Sequence, residues 1–167
     1  MTSKIISRSE ITALVESLKA QKKKIVFTNG CFELLHAGHV RYLTEARAQG
    51  DCLIVGLNAD RSVNQIKGPH RPLIPEDQRA EVLAALICVS YVVLFEEPDP
   101  LTLIEAIRPD VLVKGADWSE DDIIGAGLVR SYGGLVFRVA LVGGISTTEI
   151  IRRIVERYGR STTKEGQ

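Results

Sequence analysis

Along the chain, short apolar runs alternate with stretches in which apolar residues recur every three or four positions. Ile25 to Thr28, Cys52 to Leu57, Tyr91 to Phe95, Val111 to Lys114 and Leu135 to Ala140 are runs of strand length bounded by polar or turn-forming residues. Between them the spacing predicts helices. Val40, Leu43 and Ala46 make an inward stripe while Arg41, Glu45 and Gln49 make an outward one, and Gly50 ends the pattern. Pro75 opens a helix carrying Arg79, Leu83 and Leu86, and Asp99-Pro100 supplies an N-cap and a first-turn proline for Leu101 to Ile107. Ser146 and Glu149 have capping-box spacing and open a final helix to about Tyr158. A leading helix over about residues 7–21 begins with the same spacing at Ser7 and Glu10 and places Ile11, Leu14, Val15 and Leu18 on one face. Strands separated by helices predict an α/β fold with a doubly wound parallel sheet of five strands.

Composition narrows the function without naming it. A chain of 167 residues is a single domain of ordinary size, with a core over about residues 23–158 and a polar, frayed tail over 159–167. Its 21 basic and 21 acidic residues cancel, which removes the electrostatic reason to expect nucleic acid or a membrane surface as partner. A small-molecule substrate fits better. Cys31, Cys52 and Cys88 are odd in number and have no C-x-x-C spacing, so neither a disulfide framework nor a zinc site is expected. Met1 to Glu10 lacks an apolar signal-peptide core and no run has the length of a membrane span, so a soluble, cytoplasmic protein is expected.

Ligands of open parallel sheets bind beyond the carboxyl ends of the strands, and the polar motifs fall there. Thr28-Asn29-Gly30-Cys31-Phe32-Glu33-Leu34-Leu35-His36-Ala37-Gly38-His39 follows the first run, Asn58-Ala59-Asp60 the second, Lys114 to Trp118 the fourth and Ser146-Thr147-Thr148 the fifth. With a helix starting near Gly38, His36 and His39 sit at its positively polarised end beside unpaired N–H groups, a setting for phosphate. Gly30 and Gly38 would let backbone approach phosphate oxygens. The Ser146 segment offers hydroxyls and N–H groups at another helix start, as a cap, a phosphate cradle or both. Lys67 and Arg71 lie in a turn-rich loop, where charge is usually solvated; Arg79 is equally readable as an i,i+4 surface pair.

The histidine string resembles the nucleotidyltransferase superfamily named for H-x-G-H, which is cytidylyltransferase-like and Rossmann-like in fold. Gly50-Asp51-Cys52-Leu53-Ile54-Val55-Gly56-Leu57-Asn58-Ala59-Asp60, then Ser62-Val63, Lys67-Gly68, Arg71-Pro72 and Arg79 to Leu86, are similar to one branch, the D-glycero-D-manno-heptose 1-phosphate adenylyltransferases. The resemblance covers about residues 23–156. It implies adenylyl transfer from ATP, with Mg2+, to the sugar phosphate, releasing ADP-heptose and pyrophosphate for lipopolysaccharide or another surface glycan. It implies catalytic roles for His36, His39 and Lys67, the histidines stabilising charge rather than acting as bases. Nucleotide contacts are implied for Thr28, Asn29, Gly30, Cys31, Phe32, Gly38, Lys114, Gly115, Asp117, Ser146, Thr147 and Thr148. Acceptor contacts are implied for Asn58, Lys67, Arg71 and Arg79. No dedicated metal cage is expected, and Trp118 would either cover the base or pack as core. Family members are commonly oligomers, often dimers; the stand-alone form would need a separate heptose kinase and phosphatase.

Two positions depart from the branch. Glu33 stands where Asp is common, and Gly144-Ile145-Ser146-Thr147-Thr148 is similar to the element of glycerol-3-phosphate cytidylyltransferases, which carry an arginine where this chain has Leu141-Val142-Gly143. The alternatives are therefore a cytidylyltransferase for a polyol phosphate and, from another class, a non-catalytic nucleotide-binding module, which would keep the glycines and lose the histidines or Lys67.

Overall fold

The computed structural model describes residues 4–119, 122–140 and 145–159. Strand β1 (Ile5–Ile6) and a single 3-10 turn (Arg8–Glu10) lead into helix α1 (Ile11–Ala20) and strand β2 (Ile25–Gly30). Helix α2 (Ala37–Arg47), strand β3 (Cys52–Asn58) and helices α3 (Asp60–Lys67) and α4 (Glu76–Ala85) follow. The remainder alternates: β4 (Tyr91–Phe95), α5 (Leu101–Ile107), β5 (Val111–Gly115), α6 (Ala126–Ser131), β6 (Leu135–Val139) and α7 (Thr147–Tyr158).

All pairings are parallel, in the order β1-β4-β3-β2-β5-β6. The sheet has six strands rather than the expected five. Strand β1 is two residues long, pairing Ile5 with Val92 and Ile6 with Val93, too short to leave a periodic signature. Its register is held by Lys4, whose ammonium donates to the carbonyls of Leu86 (2.9 Å) and Val89 (2.8 Å). The expected capping box at Ser7 and Glu10 is present, but it opens the 3-10 turn ahead of α1.

Every residue of β3 is buried, as its unbroken apolar run requires. Side chains alternate across the sheet. Ile25, Phe27, Ile54 and Leu112 face α1, α5 and α6 on one side, whereas Val26, Leu53, Val55 and Val113 face α2 and α4 on the other. Central β2 lies between β3 and β5, so chain order reverses there, and the ends of β2 and β5 open onto the crevice where such sheets take ligands. Helices α3 and α6 were absent from the periodicity reading. Helix α3 buries only Ser62 and Val63, which makes no apolar stripe. Lys67 is thus the last residue of a helix rather than a loop residue.

Gly56 shows how tightly the two layers meet. A Cβ there would stand 2.9 Å from Phe27 Cζ and 3.1 Å from Leu103 Cδ2. The Gly56→Ala variant is expected to lose about 1–3 kcal/mol of stability through overpacking, read from urea unfolding midpoints.

Candidate active site

The chain leaves β2 at Gly30 and reaches α2 through a loop in which Phe32 adopts a left-handed backbone, φ +42°. That conformation is costly for an aromatic residue and brings its ring edge-on to His39, centroids 5.4 Å apart. His36 is the N-cap residue of α2, with extended backbone, and its carbonyl accepts from His39 N at 2.9 Å. The two imidazoles stack at 3.9 Å between centroids. Gly38 makes room for this: a Cβ there would meet His36 Cε1 and Nδ1 at 2.9 Å. The Nδ1 atoms of both rings are buried without a hydrogen-bond partner in the protein. Burial, then the proximity of His36 and Lys67, pushes His39 down to about 4 against a hydrogen bond with the Leu34 backbone, and burial lowers His36 as well. Both rings are therefore neutral at pH 7.

These rings form part of the wall of a cavity of about 630 Å³ at the carboxyl ends of the strands. Asn29, Gly30, Cys31, Phe32 and Gly38 line it from the β2–α2 loop, and Lys114, Gly115 and Asp117 from the end of β5. Lys114 donates to Asn29 Oδ1, and burial pulls its ammonium down to about 8, opposed by Asp117. Trp118 also faces the cavity and is 49% exposed, so it is not a core residue. Ser146, Thr147 and Thr148 line the opposite wall at the start of α7. Ser146 Oγ accepts from Glu149 N at 3.1 Å, while the Glu149 carboxylate binds Arg152 and Arg153, so only half of the expected capping box forms. Ile145 Cγ2 would lie 3.4 Å from a Cβ on Gly38, which shows that the starts of α2 and α7 converge. Two positive helix ends thus face one cavity.

Lys67 and Asn58 line the side nearer α3. Asn58 is buried, its amide donating to Ser62 Oγ at 2.9 Å. Three expected ligand contacts lie outside the lining. Thr28 is fully buried with Oγ1 2.7 Å from the Tyr42 hydroxyl, which also donates to the Val113 carbonyl at 3.2 Å; the pair ties α2 to β2 and β5. Arg71 is bound by both Nε and Nη2 to the Glu33 carboxylate. Arg79, only 2% exposed, is not a surface pair, and it lies outside the cavity lining. It donates to the carbonyls of Cys31 (2.6 Å), Asn58 (2.9 Å) and Ile74 (3.0 Å) and to Asp60 Oδ1 (2.7 Å), engaging four of its five N–H groups. The Leu141 to Gly144 segment falls outside the described residues.

The cytidylyltransferase-like family model matches residues 27–153, well over half of the chain. The chain belongs to the cytidylyltransferase-like family. It is similar to bifunctional protein HldE of Pelobacter propionicus, 56% identical over 93% of this chain and 32% of that protein. It is 61% identical to bifunctional protein HldE of Magnetococcus marinus over 81% of this chain and 28% of that one. The chain thus spans about a third of the length of these curated relatives. Among solved structures, the lipopolysaccharide core biosynthesis protein of Thermoplasma volcanium is 27% identical, with TM-score 0.59 over 74% of this chain and 99% of that one. A pantoate-beta-alanine ligase from Francisella tularensis, 16% identical at TM-score 0.60 over 91% of this chain and 77% of that one, shares the fold.

Within this cytidylyltransferase-like cavity, sequence reasoning missed Tyr42, Asp99, Ile123 and Ile124, all of which line it. Tyr42 carried a signal: its position one turn after His39 places it on the same side of α2. The others sit in loops that have no periodicity to read.

Because the folded His39 value is about 4 and an unfolded histidine's about 6.5, the unfolded chain holds the extra proton between them. The contribution of His39 to stability is therefore complete above about pH 6.5 and declines as pH falls toward about 4. Replacing it, His39→Asn, is expected to flatten that part of the stability profile, measured by denaturant unfolding across this range in the absence of nucleotide.

Proposed function

We propose that the chain transfers the adenylyl group of ATP to D-glycero-D-manno-heptose 1-phosphate, giving ADP-heptose and pyrophosphate. The observation that carries this reading is the stacked His36–His39 pair at the start of α2, facing the Ser146–Thr148 start of α7 across one cavity. The heptose-branch string from Lys67-Gly68 to Leu86 supports the acceptor, as does similarity to a lipopolysaccharide core biosynthesis protein.

A sugar phosphate is already an anionic nucleophile, so no base is needed to activate it. One of its oxygens bonds to the α-phosphorus as the bond from that phosphorus to the β-phosphate oxygen breaks, and pyrophosphate leaves with the electron pair. What the protein must supply is alignment and compensation for charge. Neutral His36 and His39 donate hydrogen bonds to the α- and β-phosphate oxygens, and the approaching anion raises their affinity for protons. Ser146, Thr147 and Thr148 hold the β- and γ-phosphates with N–H and hydroxyl groups. Lys67 spans acceptor phosphate and triphosphate, while the base lies against Lys114 to Trp118. Mg2+ would enter with ATP as part of the substrate, where triphosphate oxygens supply most of its ligands. The chain works in the cytoplasm on this reading, downstream of a heptose kinase and phosphatase. A homodimer is the working form we adopt.

A second reading is favoured by Ile145-Ser146-Thr147-Thr148: cytidylyl transfer to glycerol 3-phosphate. Pyrophosphate release should be assayed with ATP and CTP, each against heptose 1-phosphate and glycerol 3-phosphate. Turnover is expected only with ATP and the heptose phosphate; turnover with CTP and glycerol 3-phosphate would replace this reading by the second, and ATP binding with no turnover would leave a binding module. In the productive pair, His36→Ala and His39→Ala are each expected to lower kcat about 10²- to 10³-fold, measured at saturating substrates.

A further inference from the structure

We propose that Glu33 and Arg71 form a buried latch that positions Lys67 over the cavity, which makes Arg71 a positioning residue rather than a substrate contact. The inference rests on the nucleotidyltransferase reading of the site.

Glu33 is 2% exposed and stands in the wall of a cavity otherwise built to attract phosphate. An uncompensated carboxylate there would be costly to bury and would repel the substrate. Its charge is met in full. Arg71 donates through Nε and Nη2 to the two carboxylate oxygens, and the Leu73 N–H donates to Oε1 at 2.7 Å. Burial alone would raise the Glu33 carboxyl, but these bonds and the charges of Arg71 and Lys67 hold it below the usual range.

What the latch fastens is the exit from α3. Gly68, at φ +96°, ends that helix, and its N–H donates to the Asn64 carbonyl at 2.9 Å. The Asn64 amide reaches the carbonyls of Gly68 and Arg71, both at 3.4 Å, and Arg71 N donates to the Gly68 carbonyl at 3.1 Å. The five residues from Gly68 to Pro72 are thereby one rigid hook, tied at one end to Lys67 and at the other to Glu33. Glu33 in turn lies one residue from Phe32, whose ring meets His39. The latch therefore sets the cation at the end of α3 against the histidines at the start of α2. The Lys67 ammonium has no hydrogen bond or ion pair among the described residues and lines the cavity, so it is free for phosphate, whereas the Arg71 guanidinium is bound through Nε and Nη2 to Glu33 and lies outside the lining.

A double-mutant cycle distinguishes this role from general support of the fold. Wild type, Glu33→Gln, Lys67→Ala and the double variant are compared by kcat/KM on whichever nucleotide and acceptor pair turns over, with melting curves to confirm folding. Glu33→Gln is expected to lose about 10- to 100-fold, and Lys67→Ala about 100-fold. The double variant is expected to be no worse than Lys67→Ala alone, because Glu33 acts through Lys67. Glu33→Asp, which keeps the charge, should stay within about threefold of wild type, and Arg71→Lys, which loses the two-pronged bond, provides a second cycle if Glu33→Gln does not fold. Multiplicative losses in the double variant, no loss in Glu33→Gln, or equal losses in the Gln and Asp variants would overturn the latch. A wild-type chain silent with all four substrate pairs would overturn the functional reading, and the latch with it.

Discussion

Arg79 carries a full charge into the interior, and the groups that receive it explain why the cavity keeps its shape. Its guanidinium binds the exit of β2 at Cys31, the end of β3 at Asn58, the start of α3 at Asp60 and the approach to α4 at Ile74. These are three segments of the chain, the β2 exit, the β3–α3 junction and the approach to α4, whose carbonyls it pairs, while Asp60, itself partly exposed, offsets its charge. Removing the guanidinium would leave the buried carbonyls unpaired, each at a cost of about 1–3 kcal/mol. Through this side chain the loop with the histidines is tied to the start of the helix that ends in Lys67, whose far end the Glu33–Arg71 pair holds.

Around that anchor the electrostatics follow a division of labour. Fixed positive potential comes from the backbone, at the starts of α2 and α7, and from Lys67 and Lys114. The imidazoles contribute little charge until an anion arrives, because burial keeps them neutral. Neutral donors already in place need less reorganisation as charge develops on phosphate than mobile cations on a flexible surface would. Of the carboxylates that line the cavity, Glu33 is held by Arg71 and Asp99 accepts from the Leu101 N–H at 2.9 Å, while Asp117 stands close enough to Lys114 to favour its charge.

Much of this was legible in the sequence. The central strands were marked by apolar runs because a parallel sheet buries them on both faces, whereas edge strand β6, mostly exposed and interrupted by Arg138, kept only a short apolar stretch. The two-residue β1, the mostly polar helix α3 and the six-residue α6 escaped, since none of them presents a stripe long enough to show a period. Residues that the motifs placed near phosphate, from Asn29 to His39 and from Ser146 to Thr148, do line one cavity. Arg71, Arg79 and Thr28 do not. A motif records that a residue type is needed at a position; it does not say whether the side chain turns toward the ligand or toward the backbone that frames it. For an arginine the distinction is set by which carbonyls and carboxylates lie within reach of five N–H groups, and that depends on the tertiary fold.

The placement of Trp118 makes the molecule its own indicator. It is the chain's single tryptophan, and it stands half-exposed at the rim of the cavity, away from the core. A molecule settling against it exchanges water for a stacked or apolar surface around the indole. With no second indole to dilute the signal, the whole change in tryptophan emission belongs to that rim, so occupancy can be followed by light without a label or a coupled reaction.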